Sequence, residues 1–381
     1  MQYSFVIVGG GIAGLSTALA LKKIGIEAMV IESAPKIEAV GAGISLAANA
    51  MQALKHLGIS ESVIQAGRQL NAFSIYNPSG KVISRSTTHA LDAEFGISNF
   101  TTHRAQLHAV LSAQLKPEQI LLGKRCQSFL QHTDGYTLHF EDGSQLQAQY
   151  LLIADGIRSR LRQQLLPEST LRYAGCASWR GVVHIPEAMP AEASETWGPQ
   201  GRFGIVPLAN NQVYWFATKN ANEPRSPLAR YTKADLMRNF ATYHTPIRQL
   251  LEATEENAII YTDIFDLSPI PRYAFGHALL LGDAAHATTP NMGQGACLAI
   301  EDAAILASCL KKTKDVALAF RQFEQKRMAR ARDIVEQSWR LGQVAQWENS
   351  LLVGLRNTAF RLMPQSLSTQ QLRKIYSIRF E

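Results

Sequence analysis

The stretch FVIVGGGIAGLSTALALKKIGIEAMVIE, residues 5–32, decides the fold. The apolar segment from Tyr3 to Val8 predicts a buried strand, and the periodic run from Ala13 to Ile24 predicts a helix that stops at Gly25. The segment from Glu27 to Ile31 predicts a second strand. A strand, a glycine turn, a helix and a strand in this order form one βαβ unit, which implies a parallel sheet and an α/β fold.

The turn between strand and helix matches the pattern GxGxxG at Gly9, Gly11 and Gly14. Glycines let the turn tighten and let backbone N–H groups approach a pyrophosphate that rests on the helix N-terminus. Glu32 follows the second strand, where a carboxylate accepts hydrogen bonds from the adenosine ribose and repels a 2′-phosphate. The motif therefore predicts FAD or NAD rather than NADP, but it does not separate a flavoprotein from a dehydrogenase.

A second segment, ALLLGDAAHATTPNMGQGACLAIED at residues 278–302, predicts a contact with the far end of the same ligand. Its apolar strand leads to Asp283, whose carboxylate suits the hydroxyls of a ribityl chain. Gly293 and Gly295 open a long helix, and the N-terminal end of a helix stabilises the negative charge of a reduced flavin by about 0.3 to 2 kcal/mol. A nicotinamide enzyme has no need of this arrangement, so the segment favours FAD.

The second segment resembles the Gly-Asp motif of the single-component FAD-dependent aromatic monooxygenases, which include salicylate, urate and p-hydroxybenzoate hydroxylases. The run Asp155-Gly-Ile-Arg-Ser-Arg-Leu-Arg162 resembles the DGxxSxxR motif of the same family. The motifs follow the family's order, and the resemblance covers nearly the whole chain. It implies a Rossmann-like FAD-binding domain of the glutathione-reductase type with p-hydroxybenzoate hydroxylase topology, a β-sheet substrate domain and a C-terminal helix.

The resemblance also implies which residues hold the cofactor. Arg104 pairs with the pyrophosphate, Asp155 lies near it, and Cys126 contributes its backbone only. The full predicted set is Gly9, Gly11, Ala13, Gly14, Glu32, Ser33, Ser45, Arg104, Cys126, Asp155, Asp283, Gly293, Gln294, Gly295, Ala296 and Cys297.

The function implied is that of a family member that reduces FAD with NADH or NADPH. The reduced flavin captures O2 as a C4a-hydroperoxide, which hydroxylates a small aromatic or heteroaromatic substrate. Other flavin oxidoreductases of the same fold remain open as alternatives, namely an epoxidase, a halogenase-like enzyme or a reductase, and so does a non-catalytic FAD redox sensor. The halogenase motif GWxWxIP is absent from the sequence. A plain NAD dehydrogenase leaves the Asp283 segment unexplained.

Few conventional catalytic residues are expected, because the cofactor carries the chemistry. Pro290 is predicted to wall the reactive side, while Arg202 and Tyr214 are spaced like the substrate-facing pair of urate hydroxylase. Urate hydroxylase has an aspartate where this chain has Asn291, which puts urate itself in doubt. Trp179 and Arg180 are weaker candidates for substrate contact, and His286, inside the cofactor motif, is predicted to be structural.

The elements predict one nucleotide-binding domain built from separated segments. We assign residues 1–72, 98–172 and 268–345 to the FAD-binding domain, 73–97 and 173–267 to the β-rich substrate domain, and 346–381 to a C-terminal helical segment. The glycine-bearing segment from Val40 to Ser45 leads into a helix. Further helices are predicted from Thr101 to Leu115 and, as a single helix, from Lys233 to Ala253.

The net charge of +7 is concentrated at the end of the chain, where eleven Lys and Arg residues face five Asp and Glu residues from Arg321 onward. The bases alternate with apolar residues at helical spacing, which predicts a docked helix with a solvated basic face. We therefore predict no nucleic-acid partner and no contact of this helix with a membrane surface. The apolar positions are Leu351, Leu352, Leu355, Ala359 and Leu362.

The remaining composition is that of an ordinary globular protein, with 46% hydrophobic and 18% charged residues. The four cysteines lie far apart without CxxC spacing, so no metal site or disulfide framework is predicted, and a reducing cytoplasm is expected. No apolar run approaches the ~20 residues of a membrane span, and we expect the short apolar segment from Phe5 to Val8 to be a buried strand and not a signal peptide. We expect a monomer or a homodimer.

Overall fold

The computed structural model describes residues 2–37 and 42–380. The described part of the chain forms eighteen strands. In chain order these are β1 (Gln2–Val8), β2 (Ala28–Ile31), β3 (Gly43–Ala47), β4 (Gly67–Gln69), β5 (Ala72–Tyr76), β6 (Val82–Thr87), β7 (Asn99–His103), β8 (Ile120–Leu121), β9 (Cys126–His132), β10 (Gly135–Phe140), β11 (Gln145–Ile153), β12 (Leu171–His184), β13 (Glu192–Gly198), β14 (Gly201–Pro207), β15 (Gln212–Asn220), β16 (Ile260–Leu267), β17 (Ala274–Phe275) and β18 (Ala278–Leu280).

The same residues form thirteen α-helices. These are α1 (Ile12–Lys23), α2 (Ala48–Leu57), α3 (Ser60–Gln65), α4 (His89–Phe95), α5 (Arg104–Ser112), α6 (Arg160–Leu165), α7 (Lys233–Asn239), α8 (Ile247–Ala253), α9 (Asp283–His286), α10 (Gly295–Lys312), α11 (Val316–Ala345), α12 (Ser350–Leu362) and α13 (Gln365–Tyr376). None of them is long and apolar enough to cross a membrane.

The first sheet has a parallel centre in the order β18-β11-β1-β2-β8, and β17 pairs antiparallel with β18 at its edge. In the centre, Val8 pairs with Ile31 on one side and with Ile153 on the other. Parallel strands share one carboxyl edge, and ligands of doubly wound sheets bind there. The chain therefore brings the ends of β1, β2, β11 and β18 together, although they are far apart in sequence.

The glycine turn after β1 requires glycine at two positions. Gly9 has a φ of +111°, a conformation that L side chains rarely adopt. A Cβ on Gly14 would lie 1.8 Å from the Gly9 carbonyl oxygen, so α1 starts as close to β1 as a backbone allows. From Leu15 to Leu21, α1 is buried on all sides, because it packs between the sheet and α10.

The second sheet runs β16-β12-β15-β14-β13-β5-β6 and is antiparallel except between β13 and β5. One face is a core in which Trp215 stacks on Phe203 with ring centroids 5.4 Å apart. Helices α7 and α8 complete this core with Phe240 and Leu250. Alternation along each strand sends the neighbouring side chains, such as Tyr214, to the opposite face.

Helices α10 and α11 are joined by a buried ionic network. Arg327 of α11 donates to Asp302 at 2.7 Å and to Glu301 at 2.5 Å, and all three side chains are almost fully buried. Arg330 adds a second donor to Glu301 at 2.7 Å and also donates to the Ile375 carbonyl in the last turn of α13. The network therefore fixes α10, α11 and the end of the chain relative to one another.

Two predicted helices differ from the structure. The stretch from Thr101 begins as β7, because the buried, β-branched Thr101 and Thr102 pair with β3 and β4; the helix starts only at Arg104. The single helix expected from Lys233 to Ala253 is two helices, α7 and α8, separated by a turn at Pro246. In the segment from Val40 to Ser45, residues 40 and 41 lie outside the described residues.

The expected docking of the apolar side of the C-terminal helix is wrong. Helix α12 turns Arg356 inward, where only 2% of its surface is exposed, while Leu351, Leu355 and Leu362 are 82%, 66% and 75% exposed. The reason is polar: Arg356 donates to the Val344 and Ala345 carbonyls in the last turn of α11. This capping interaction selects the docked face against the hydrophobic pattern.

The ionic network predicts a large effect of Arg327→Met. The substitution leaves two buried carboxylates short of a cation, so the free energy of unfolding should fall by about 3–5 kcal/mol. Urea unfolding followed by circular dichroism measures it. Arg340→Met on the same helix removes only an exposed pair with Glu336 and should cost less than about 1 kcal/mol. Equal effects of the two substitutions would contradict this account.

Candidate active site

A cavity of about 320 Å³ opens at the carboxyl edge of the first sheet. Six residues predicted from the sequence line it, namely Gly9, Gly11, Glu32, Ser33, Cys126 and Asp155. Four cations that sequence analysis did not single out line it too, namely Lys124, Arg125, Arg158 and Arg160. Their common signal is position, because they flank the ends of the strands that meet here. The cavity is polar, positively charged and faced by the N-terminus of α1, so it suits a pyrophosphate and its adenosine.

Glu32 is held in place by backbone donors. The Gly10 N–H donates to one of its carboxylate oxygens at 2.7 Å, and the Ala34 N–H donates to the other at 2.7 Å. The Ser33 hydroxyl also donates to this carboxylate, at 3.0 Å. A carboxylate oxygen accepts more than one hydrogen bond, so Glu32 retains capacity for ribose hydroxyls.

Asp155 and Cys126 lie on the opposite side of the cavity. Asp155 follows β11, and one of its carboxylate oxygens is buried without a protein partner. Burial raises the pKa of Asp155, although Ser159 and Arg162 counteract this. Burial, together with the nearby Asp155, raises the pKa of Cys126 to about 12. Cys126 is therefore a neutral thiol, which agrees with a backbone contribution only.

The segments predicted to hold the two ends of the cofactor meet where the Gly-Asp motif packs on α1. Gly282 has a φ of +56°, and a Cβ there would lie 2.6 Å from the Cβ of Ala13. The Gly282 N–H donates to Asp302 at 3.0 Å, and the same carboxylate oxygen is 2.7 Å from His286 Nε2. Burial alone would raise the pKa of Asp302, but His286 and Arg327 lower it to about 2. His286 thus braces the motif from inside the protein.

Asp283 points into the cleft on the other side of this motif. Its side chain is exposed, yet the surrounding protein is dense enough to raise its pKa above the ordinary value. His286 and Arg104 partly oppose that shift. A carboxylate that is both accessible and surrounded lies at the bottom of a cleft. Arg104, the first residue of α5, is exposed near the same cleft.

The predicted flavin-end residues gather at the N-terminus of α10. Gly293 has a φ of +63° with open space around it, and Gly295 lies beside Asp283. The buried Gln294 accepts a hydrogen bond from Asn49 at 2.9 Å. Ala296 and Cys297 form the first turn, and the Cys297 sulfur accepts from the Ala47 N–H at 3.4 Å, which brings β3 and its Ser45 alongside.

The second sheet presents an aromatic wall beside this end. Tyr214 and Phe216 alternate with the core residues of β15, face away from Trp215, and lie 5.8 Å apart between ring centroids. Gly204 leaves room for the Phe216 ring, and Gly43 of β3 leaves room for Tyr214. Both aromatic side chains are partly exposed. The two side chains therefore present partly exposed aromatic surface on the face of the sheet opposite Trp215, and β3 packs against this surface at Gly43.

Arg202 connects this wall to the loop that begins with Pro290. It donates to the side-chain amide oxygen Oδ1 of Asn291 at 2.7 Å and to the Thr218 hydroxyl at 3.3 Å, and it pairs with Glu195 at 3.5 Å. Its own exposure is 4%, whereas Pro290 is exposed. Sequence analysis missed Glu195, although its place in β13, two residues before Trp197, puts it on the same face of the sheet as Arg202.

Asn291 is fixed from behind by α11. Its amide donates to the Ser338 carbonyl and to the Thr289 hydroxyl, both at 2.9 Å. A Cβ on Gly342 would lie 2.3 Å from the Asn291 amide nitrogen, so only a glycine leaves room for this side chain. The loop position is thus set jointly by Arg202 and by α11.

Arg180 pairs with Phe216 across β12 and β15, and it donates to Thr262 at 2.6 Å. Its Nε is buried without a protein partner. Trp179, the other weaker candidate, is 1% exposed and packs on Tyr231 in the opposite core. Arg180 therefore lies on the face of the aromatic wall and Trp179 does not.

Comparison with known proteins shows the family of this chain. The model of the FAD binding domain family matches residues 2–338. A FAD-dependent urate hydroxylase of Klebsiella pneumoniae is 34% identical over 338 residues, with 87% of each chain covered. This chain belongs to the FAD-dependent aromatic monooxygenases. FAD is the cofactor of this family, and NAD(P)H is its typical reductant.

Two further relatives of the family cover almost the whole chain. The aurachin C monooxygenase/isomerase of Stigmatella aurantiaca is 42% identical over 361 residues, 94% of each chain. A 2-heptyl-3-hydroxy-4(1H)-quinolone synthase of Pseudomonas aeruginosa is 32% identical over 368 residues, 95% of this chain and 94% of its own. Among solved structures, Klebsiella pneumoniae HpxO with FAD and uric acid superimposes with a TM-score of 0.90 at 28% identity, and 98% and 96% of the two chains are covered.

The residues of this chain fit the family's cofactor. Gly11 has no neighbouring atom within 4 Å of a Cβ position, so the helix N-terminus is open toward the cavity. Asp283 and Gly295 border the other end of the cleft, and Gly282 with Ala13 joins the two ends. A long dinucleotide has contacts available along this whole path.

Glu32→Ala tests the adenosine end. The protein loses acceptors for the ribose and the order of the Gly10 turn, so FAD affinity should fall by about tenfold to a hundredfold, equivalent to about 1–3 kcal/mol. Titration of apoprotein with FAD, followed by flavin fluorescence, measures the dissociation constant. Glu27→Ala replaces an exposed carboxylate just before β2 and serves as the control. Equal affinities for the two variants would remove Glu32 from the site.

Proposed function

We propose that this chain uses FAD, NAD(P)H and O2 to hydroxylate an electron-rich bicyclic heteroaromatic ring of the quinolone type. One observation carries the choice of ring: the cleft wall is aromatic, and the buried Arg202 beside it is already paired with Glu195. A site with a compensated arginine favours a neutral ring over an anionic one. Similarity to the quinolone synthase supports the same class.

Urate is the second candidate, because HpxO with uric acid superimposes so closely. The two candidates differ in charge and in polar groups. Urate needs cations and hydrogen-bond partners around its whole edge, whereas here the exposed surface of the wall comes largely from Tyr214 and Phe216. The Arg202 guanidinium already contacts Asn291, Thr218 and Glu195. This distribution favours the quinolone.

The proposed roles of the protein residues are positional. When bound, FAD would supply the redox chemistry: electrons from NAD(P)H would reduce O2, and one oxygen atom would enter the ring while the other left as water. Phe216 stacks on the substrate, and Tyr214 donates a hydrogen bond to its carbonyl oxygen. Arg202 and Asn291 hold the loop at Pro290 over the cleft, where it excludes water from the reacting ring.

Tyr214 acts as a neutral donor in this proposal. Burial and the nearby Glu195 raise its pKa to about 12, and Arg180 only partly opposes them. Because its pKa lies above the ordinary value of about 10, the phenol keeps its proton throughout the working range of the enzyme. The four cysteines are buried free thiols, which supports the proposal of a cytoplasmic location. A monomer or a homodimer stays the predicted assembly.

Substrate-stimulated reductant consumption tests the proposed function. The FAD-loaded protein should oxidise NADH or NADPH faster with a 2-alkyl-4(1H)-quinolone than with urate or a hydroxybenzoate, and mass spectrometry should find a product with one added oxygen atom. Stimulation by urate alone would favour the second candidate. Bound FAD without stimulation by any aromatic ring would leave the redox sensor.

Tyr214→Phe tests the hydrogen bond to the substrate. KM for the coupling substrate should rise by about fivefold to tenfold, the effect of about 1 kcal/mol, with FAD affinity unchanged. The pH profile of kcat/KM should show no tyrosine ionisation near pH 10 in either protein. Tyr231→Phe, on the opposite face of the sheet, is the matched control. A KM equal to that of the parent would exclude the contact.

A further inference from the structure

Helix α12 exposes a stripe of leucines and turns Arg356 and Phe360 toward the protein. Leu351, Leu355 and Leu362 are spaced by four and seven residues, so they lie along one line of the helix. These three side chains are the most exposed large hydrophobic residues of the described chain. Arg356, on the other side, is buried. Single exposed leucines need no explanation, but an aligned set does.

The orientation of α12 is firmly set by its docked side. The Arg356 guanidinium donates to the Ala345 carbonyl at 2.8 Å and lies 5.0 Å from the centroid of the Trp197 ring. Phe360 contacts the same ring edge-on at 5.2 Å. The helix cannot roll its leucines inward without stripping Arg356 of these partners. The stripe therefore belongs to the folded protein and faces outward.

The exposed surface continues into the turn before α13. Leu352, Met363 and Leu367 are 43%, 40% and 52% exposed. Together with the stripe they form what we name the leucine patch: Leu351, Leu352, Leu355, Leu362, Met363 and Leu367. It spans two helices and the turn between them, so it is a surface and not an isolated row.

The charge around the leucine patch is predominantly positive. Residues 348–380 contain five Lys and Arg residues and a single acid, the exposed Glu348. Arg361 and Lys374 are exposed, while Arg356 is buried and Arg373 pairs with Glu94 of α4. Exposed leucines bordered by uncompensated cations are typical of helices that lie in the interface of an anionic membrane.

Contrary to the expectation from the sequence that this helix does not contact a membrane, we propose that the leucine patch docks on the surface of a bilayer that contains anionic lipids. The leucines enter the boundary between headgroups and acyl chains, and the cations contact lipid phosphates. A second copy of the chain fits less well. A twofold contact would place the same cationic segment against itself, and within residues 348–380 only Glu348 could compensate the five cations.

The leucine patch lies next to the proposed substrate side of the protein. Arg356 is close enough to Arg202 for their charges to interact, and Trp197, which Arg356 covers, pairs in register with Arg202. Docking therefore brings the second sheet to the membrane surface, where apolar ring compounds concentrate. The surface itself is inferred from α12 and α13 alone and does not depend on the identity of the substrate.

Vesicle flotation with the full, FAD-loaded protein tests the proposal. The protein should float with vesicles of phosphatidylcholine and phosphatidylglycerol, bind less to phosphatidylcholine alone, and release as salt is raised. The double variant Leu355→Glu, Leu362→Glu should lose binding by about tenfold or more, because it puts carboxylates against lipid phosphates. Leu130→Glu, at an exposed leucine of β9, is the matched control and should bind like the parent.

Three results would overturn the proposal. The first is no flotation of the parent protein with anionic vesicles, and the second is equal flotation of the parent and the double variant. The third is a dimer in sedimentation equilibrium that the double variant abolishes, because this result would assign the leucine patch to a second copy. FAD absorbance and thermal unfolding of each variant show whether it is folded. Quinolone-stimulated NAD(P)H oxidation in detergent-free buffer is read separately, so failure of the membrane contact and failure of the proposed function are distinguishable.

Discussion

The carboxylate of Asp302 is the interaction on which the cofactor site depends. It accepts the Gly282 N–H and the His286 ring nitrogen, and Arg327 supplies the compensating charge. Because Gly282 immediately precedes Asp283 and packs on Ala13, the position of this buried acid fixes both the far-end carboxylate and the start of α1. The ionic network is therefore part of the site, although it touches no ligand.

A few hydrogen bonds likewise fix the substrate side of the protein. Arg202 belongs to β14 of the second sheet, and Asn291 belongs to the loop before α10, yet one hydrogen bond of 2.7 Å joins them. Behind Asn291, Ser338 carries the link into α11, the helix that also holds Arg327. The aromatic wall and the cofactor cleft are thus both attached to α11, which holds them at a fixed separation.

Local patterns predicted the secondary structure that frames the cofactor cleft. The βαβ unit and the α/β class follow from periodicity and glycine spacing, which are properties of neighbouring residues. The contacts of individual residues with FAD stay predictions. The exposed leucines of α12 and the strand at Thr101 were mispredicted, because they depend on partners distant in sequence, namely the α11 carbonyls and strands β3 and β4. Glu195 was missed for the same reason. Contacts across the fold leave little trace in a single sequence.

Gly342 has a consequence for how such an enzyme changes over generations. Its missing side chain is filled by Asn291, which sits 51 positions earlier in the chain. A larger residue at position 342 requires a smaller residue at position 291. If residue 291 becomes smaller first, the intermediate protein has a cavity between the loop and α11. The residues at position 342 of α11 and position 291 of the loop are therefore expected to covary among relatives.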